Sequence, residues 1–271
     1  MVRLLFILGL HVAFLFSARA EEAVVLRPHR IIYDFKLDDV PSEMKALGMS
    51  GRLVHELTGS ECKGYKIRSR FINRMYTKNM QERAIDQQIV SYETSDGREF
   101  HFEVNDNVGQ EVTHNIQGIA ERTDDGIVVK LRKPKEDVYK LPLADFPTMY
   151  LKTIIRKAKA NHNLYQATVF DGTGNANKII KKSVIIGEKQ ALLSDSKMEK
   201  LDREDYWPVQ ISYYDDEKNK GGLPTYHMNF FLSETGIMRD LSINYGEFSM
   251  RADLVSFELL NDEKDSESCE H

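Results

Sequence analysis

Histidine, cysteine and paired carboxylates are the residue types here that could carry chemistry, and their spacing is unhelpful to most reactions. The eight histidines are His11, His29, His55, His101, His114, His162, His227 and His271. None stands in HExxH, HxH or a Cys/His cluster at metal-ligand spacing, so no metal site is expected. His101 and His227 alternate with Phe100, Phe102, Tyr226 and Met228, which puts them on the polar face of their strands in structural or solvated roles. No G-x-S-x-G elbow is present. The run D-G-T-G-N (171–175) has a superficial likeness to an aspartic-protease D-T-G or a phosphate loop. It follows one strand pattern and leads into another, without the Gly-Lys-Ser/Thr and helix of a P-loop, so a turn is the better reading. Asp38-Asp39 and Asp215-Asp216 are adjacent pairs at strand ends. Neighbours on a strand point to opposite faces, which suits solvated turns better than shared acid–base work. D-x-D-x-D-G calcium spacing is absent. No catalytic constellation and no cofactor site is expected.

Two cysteines, Cys62 and Cys269, are the remaining candidates. Residues 1–20 read as a secretory signal peptide: Arg3 gives the positive end, Leu4 to Phe16 the apolar stretch, and Ala18-Arg19-Ala20 the cleavage site. Cleavage after Ala20 would release an exported, soluble chain with no later segment apolar enough to span a membrane. In that oxidising compartment an even cysteine count argues for a Cys62–Cys269 disulfide, closing a loop of ~207 residues. Removing residues 1–20 takes away two arginines and no acid, moving the formal net charge from −5 to −7. A mildly acidic chain without a basic tract carries no electrostatic footprint for nucleic acid.

The elements that must position these residues are mostly strands. Residues 145–171 hold the one long helical pattern. Asp145 is placed to cap it and Pro147 lies in its first turn. Leu151, Ile154, Ile155 and Ala158 form an apolar stripe, Arg156, Lys157 and Lys159 fill the last turn, and Asn161 is the stop. The period then switches to two at Tyr165, Ala167 and Val169.

Upstream, strand patterns cover Tyr33–Leu37, Gly51–Leu57, Tyr65–Phe71, Gln88–Thr94, Arg98–Val104, Val112–Ala120, Ile127–Leu131 and Val138–Leu141. Pro41 to Met49 reads as an irregular or short helical connection, Gly59-Ser60 as a turn, and Asp96-Gly97 as a two-residue hairpin. Downstream come Ile179–Ile186, a charged surface connection from Glu188 to Asp205, and a meander over Trp207–Tyr214, Tyr226–Leu232, Gly236–Tyr245 and Phe248–Leu260. A lone amphipathic helix in such a chain must bury its stripe against a sheet. With no linker or repeat, residues 21–271 read as one mainly β domain, a curved antiparallel sheet wrapped around the helix. The aromatics of the meander (Tyr206, Trp207, Tyr213, Tyr214, Tyr226, Phe230, Phe231, Tyr245) are expected to pack the core. The alternative is that an open barrel leaves some of them lining a groove for a lipid, a peptide or a partner strand.

Five segments together resemble a known family: G-S-E-C-K-G-Y (59–65), L-P-L-A-D-F-P-T (141–148), A-T-V-F-D-G (167–172), Y-W-P-V-Q-I-S-Y-Y (206–214) and P-T-Y-H-M-N-F-F-L-S-E-T-G-I (224–237), with Cys269 near the end. In order and spacing they are similar to the EipB family of cell envelope integrity proteins, periplasmic proteins of alphaproteobacteria. The resemblance implies a spiral, broken β-barrel wound around a central helix and closed by a Cys62–Cys269 disulfide. It also implies a non-enzymatic role in envelope integrity, with a periplasmic tetratricopeptide-repeat protein as partner. A lysine-rich face at Lys178, Lys181 and Lys182 departs from the family pattern. The second functional reading is a periplasmic carrier of lipid or lipoprotein acyl chains.

Overall fold

A computed structural model describes residues 23–40, 48–76, 82–192, 204–215 and 221–260. The segment 1–20, the connection at 41–47, most of the connection at 193–203, Asp216 and the acidic tail with Cys269 lie outside the described residues. The first eight strands are β1 (His29–Leu37), β2 (Met49–Ser60), β3 (Gly64–Tyr76), β4 (Glu82–Glu93), β5 (Glu99–Val108), β6 (Glu111–Arg122), β7 (Ile127–Lys133) and β8 (Asp137–Leu141). Helix α1 (Pro147–Lys159) follows, then β9 (Leu164–Val169), β10 (Ile180–Ile186) and the two-residue β11 (Gln190–Ala191). The meander is β12 (Asp205–Tyr214), β13 (Tyr226–Leu232), β14 (Met238–Asn244) and β15 (Ser249–Leu259).

All pairings between these strands are antiparallel, in one sheet ordered β8-β7-β6-β5-β4-β3-β2-β1-β15-β14-β13-β12-β10-β9, with β11 on β12. The sheet is not closed into a barrel. It curls until its two ends touch at one point: Asp145, beyond the end of β8, makes an isolated parallel bridge to Val169 of β9. Both backbone bonds of that bridge are present, from Asp145 N–H to the Thr168 carbonyl at 2.9 Å and from Phe170 N–H to the Asp145 carbonyl at 3.0 Å.

Helix α1 lies inside the curl. Tyr150, Ile154, Ile155 and Ala158 join inward residues of β1, β10 and β12–β15, among them Ile31, Tyr33, Val184, Ile211, Phe230 and Leu241. A second cluster is built on Phe100, Phe102, Phe146 and Phe170, whose rings meet at 5.2–6.5 Å centroid distances. Phe146, at the start of the helix, therefore anchors it in the β5–β7 half of the wall.

Several local expectations need correction. The helix N-cap is Phe146, not Asp145, and no side chain of its own segment caps it. Asp145 is occupied by the bridge and by Arg122, whose Nη2 donates to it at 3.3 Å. The buried face is wider than the apolar stripe: Thr148, Tyr150 and Lys152 are also buried, whereas Leu151 is half-buried. A helix surrounded by a curled sheet meets wall on more than one side, so polar residues are enclosed with the stripe. The Asp96-Gly97 turn is wider than a two-residue hairpin, because Thr94 N–H pairs with the Glu99 carbonyl and the Asp96 carboxylate accepts from Thr94 Oγ1 and Arg98 N–H. β2 runs on through Gly59-Ser60, so the turn falls at 61–63. The helix stop is as expected: Asn161 takes the left-handed conformation (φ 57°) just past the cap, and the basic last turn is present.

Candidate functional site

Two polar clamps hold the helix, and both come from the strand ends around residues 59–65. The first is Glu93, the last residue of β4, which is 3 % exposed. Its carboxylate accepts the N–H groups of Thr148 and Met149 at 2.8 and 3.0 Å. It satisfies donors that every helix start leaves orphaned and places negative charge at the positive end of the dipole. Burial raises its pKa, and the hydrogen bonds from the helix start oppose that rise. The second clamp is Lys152, whose Nζ lies 2.5 Å from Glu61 Oε1 and 4.8 Å from the centre of the Tyr65 ring. Gly64, between the two, has φ 78°, and a Cβ there would sit 2.3 Å from the Glu93 carbonyl oxygen. The G-S-E-C-K-G-Y segment is thus the fitting that receives the helix.

Between this helix and the sheet lies a partly enclosed, largely apolar cavity of about 300 Å³. Ile31, Leu53, Leu57, Ile67, Ile211, Met228 and Phe230 supply its wall from the sheet, and Tyr150, Leu151 and Ile154 from the helix. Besides its tyrosines, four ionisable residues break that apolar lining: His29, His55, Lys182 and Asp171.

Lys182 is in β10, where Lys182, Val184 and Ile186 alternate inward and Lys181 and Ile185 outward. The expected lysine-rich face is therefore split by strand parity, with Lys181 exposed and Lys182 enclosed at 6 % exposure, while Lys178, ahead of the strand, pairs with Asp215 at 3.2 Å. The Lys182 ammonium stands 4.7 Å from the Tyr150 ring centre and 4.6 Å from that of Tyr213, its cross-strand neighbour. Burial pulls its pKa down to about 8, partly opposed by Asp171. Asp171 is turned to its own loop, accepting from Thr173 Oγ1 at 2.6 Å and Thr173 N–H at 3.0 Å. Among the described residues no carboxylate lies within ion-pair distance of Lys182, and the buried Tyr150 hydroxyl has no hydrogen-bond partner. An ammonium thus stands beside an apolar space without a carboxylate partner at contact distance.

On the cavity wall His29 and His55 bring their rings to 5.9 Å. Burial lowers both pKa values, that of His55 to about 3 with its neighbour His29 adding to the effect. His29 Nδ1 contacts the Arg27 carbonyl at 2.8 Å and His55 Nδ1 the Ser69 hydroxyl at 2.7 Å. Neutral imidazoles are what this wall accommodates. His101 and His227 sit apart, on Glu99 and Ser212 respectively. No group of three or more potential metal ligands occurs among the described residues.

From Tyr213 an aromatic ladder leads outward through Tyr226 (4.3 Å), Tyr245 (5.7 Å) and Phe248 (4.9 Å). Burial raises the Tyr213 and Tyr226 pKa values, so both hydroxyls stay protonated. Tyr206 and Trp207 pack the core instead, and Phe230 both packs the core and lines the cavity, so the aromatic meander divides between the two. Of the cysteines, Cys62 lies in the turn between β2 and β3, next to the Glu61 clamp, and Cys269 is outside the described residues. Asp38 and Asp39 are exposed at the end of β1. The D-G-T-G-N run is the loop after β9, with Gly172 at φ 75° pressed against Phe102.

Sequence reasoning missed Glu93, Tyr150 and Lys152, and it misplaced Lys182. Lys182 shares the parity of Val184 and Ile186, and Lys152 stands one helical turn from Thr148 and Ile155, so both signals were present. Glu93 had none, because its partner is 55 residues away.

Comparison with known proteins agrees with this architecture. Residues 20–261 match a family described as EipB-like. The chain is 38% identical over 255 residues to the cell envelope integrity protein EipB of Brucella abortus (strain 2308), covering 93% of this chain and 91% of that protein. It superposes with a TM-score of 0.83 and 38% identity on the crystal structure of a beta-barrel-like protein of a domain of unknown function, DUF1849, from Brucella abortus, covering 88% of this chain and all of the other. In sequence and in fold, this chain belongs to the EipB-like family.

Proposed function

We propose that this protein maintains cell envelope integrity from the periplasm, as a non-enzymatic protein that works by binding other proteins. Family membership carries the reading, through a relative named for envelope integrity over nine-tenths of its length. The secretory pattern of residues 1–20 supports export, with cleavage after Ala20. A Cys62–Cys269 disulfide is part of the proposal, as is a periplasmic tetratricopeptide-repeat partner. Deleting the gene should sensitise cells to detergent and to cell-wall antibiotics. Re-expression of the full chain should restore resistance, and the same chain lacking residues 1–20 should not. Purified mature chain should then retain a tetratricopeptide-repeat protein from periplasmic extract in a direct, saturable complex. Unchanged sensitivity in the deletion strain would refute the envelope role, and failure to bind any such repeat protein would refute the partner.

A second reading, a carrier of lipid or acyl chains, is favoured by the partly enclosed apolar cavity of about 300 Å³ beneath the helix. A carrier should leave the periplasm with its cargo. Native mass spectrometry of protein taken directly from that compartment should show an adduct of lipid mass.

A further inference from the structure

We propose that the cavity binds a single-chain amphiphile with a carboxylate head, the carboxylate meeting Lys182 Nζ and the alkyl chain lying along Ile31, Leu57, Ile67 and Phe230. The inference rests on the carrier reading and names its ligand class. Three observations carry it. The cavity is partly enclosed and mainly apolar, and about 300 Å³ is the low end of the range for small-molecule pockets. That volume suits one chain and is too small for the several chains of a phospholipid or a lipoprotein anchor.

Second, the polar end is built and unpaired. Lys182, 6 % exposed as a residue, holds its ammonium over the faces of Tyr150 and Tyr213, with no carboxylate at ion-pair distance among the described residues. Buried charges are normally paired, because desolvation without a partner is costly. Third, the donors match the head. One ammonium satisfies a monoanion, whereas a phosphate brings more charge and more acceptor atoms than it can meet. Asp171, on the same wall, further disfavours a second negative charge. The groups facing Lys182 are then Tyr150 from α1, Tyr213 from β12 with Tyr226 stacked behind it, and Asp171 from the loop after β9. None supplies a counter-charge at contact distance.

The test is calorimetric titration of the mature, oxidised protein with decanoate, decanol, decylamine and decyl phosphate, each below its micelle concentration. Decanoate should bind one-to-one and at least about tenfold more tightly than the other three, about the worth of one desolvated charge-assisted contact. Lys182→Met, which keeps the stem's bulk, should lose that preference while binding decanol as the wild type does. Equal affinity for decanoate and decanol, tighter binding of decyl phosphate, or unchanged decanoate affinity in Lys182→Met would overturn the carboxylate assignment and leave a carrier standing. Failure of the wild-type protein to bind any of the four would overturn both.

Discussion

Single residues in this protein are mostly spent on holding the helix inside the sheet. Glu93 caps the helix start from another strand, so Glu93→Ala should strand two N–H groups and lower unfolding stability by about 1–3 kcal/mol. Glu93→Gln keeps a carbonyl acceptor and should cost less. Urea unfolding checks both, and an unaltered Glu93→Ala would show that the clamp is idle. Lys182 makes the opposite prediction. Its pKa is lowered from 10.5 to about 8, so its ammonium costs the unliganded fold about 3 kcal/mol at neutral pH. Cation–π contact with two tyrosines offsets part of that cost, and Lys182→Met should still unfold at higher urea concentration than the wild type. The histidine pair sets the acid limit. Both pKa values are lowered by folding, so the unfolded chain binds more protons below its ordinary pKa of about 6.5. Stability should therefore fall with pH from about 6.5 towards 3, by up to about 1.4 kcal/mol per pH unit for each histidine. Urea unfolding between pH 5 and 6.5 (about where histidine alone titrates) should show a shallower slope in His55→Gln, which stays neutral.

At the scale of elements, helix α1 is a spindle gripped at its start and along one side. Ile154 and Ile155 are equally buried but differently placed: Ile154 lines the cavity and Ile155 does not. Truncating either to Ala should cost about 2–5 kcal/mol, with Ile155→Ala the more damaging because it opens a void where packing is complete. Ile154→Ala only enlarges existing space, and the order of the two denaturation midpoints checks this. The strands obey simpler rules. Alternation decides which residues of β10 face in, and it puts Lys182 on the same side as Val184 and Ile186. Loop chemistry matters where walls meet. Gly172 must keep φ 75°, and a Cβ there would lie 2.5 Å from Phe102, so the loop after β9 tolerates no side chain without shifting the aromatic cluster.

The whole molecule is an open sheet whose ends are joined by one bridge at Asp145 and by the helix that both halves grip. Open sheets leave edges, here β8 and β9, with Val138 60% and Leu164 69% exposed. These edges are short, and the Asp145 bridge occupies part of that of β9, which limits unwanted strand pairing. The proposed Cys62–Cys269 bridge would act at this scale, tethering the chain's end to the turn beside the Glu61–Lys152 clamp. Reduction, or Cys62→Ser, should lower stability by about 2–5 kcal/mol and lower the melting temperature accordingly. A melting temperature indifferent to reductant would rule the bridge out as a source of stability.

Local periodicity determined most of the elements. The strands of the meander, the helix with its basic last turn and the Asn161 stop follow from spacing, because period two or 3.6 is a property of neighbours along the chain. A mainly β fold around one helix followed from the need to bury the one amphipathic stripe, and the five matching segments pointed to the family. Tertiary structure alone decided that Phe146 and Glu93, rather than Asp145, begin the helix, since the capping carboxylate comes from a distant strand. It also decided which polar residues are enclosed. Lys152 and Lys182 look solvated in sequence, and only a sheet curled around the helix takes both out of water. The cavity, with its unpaired ammonium, is a property of that curl: it depends on how far opposite walls stand apart, a distance that no local pattern encodes.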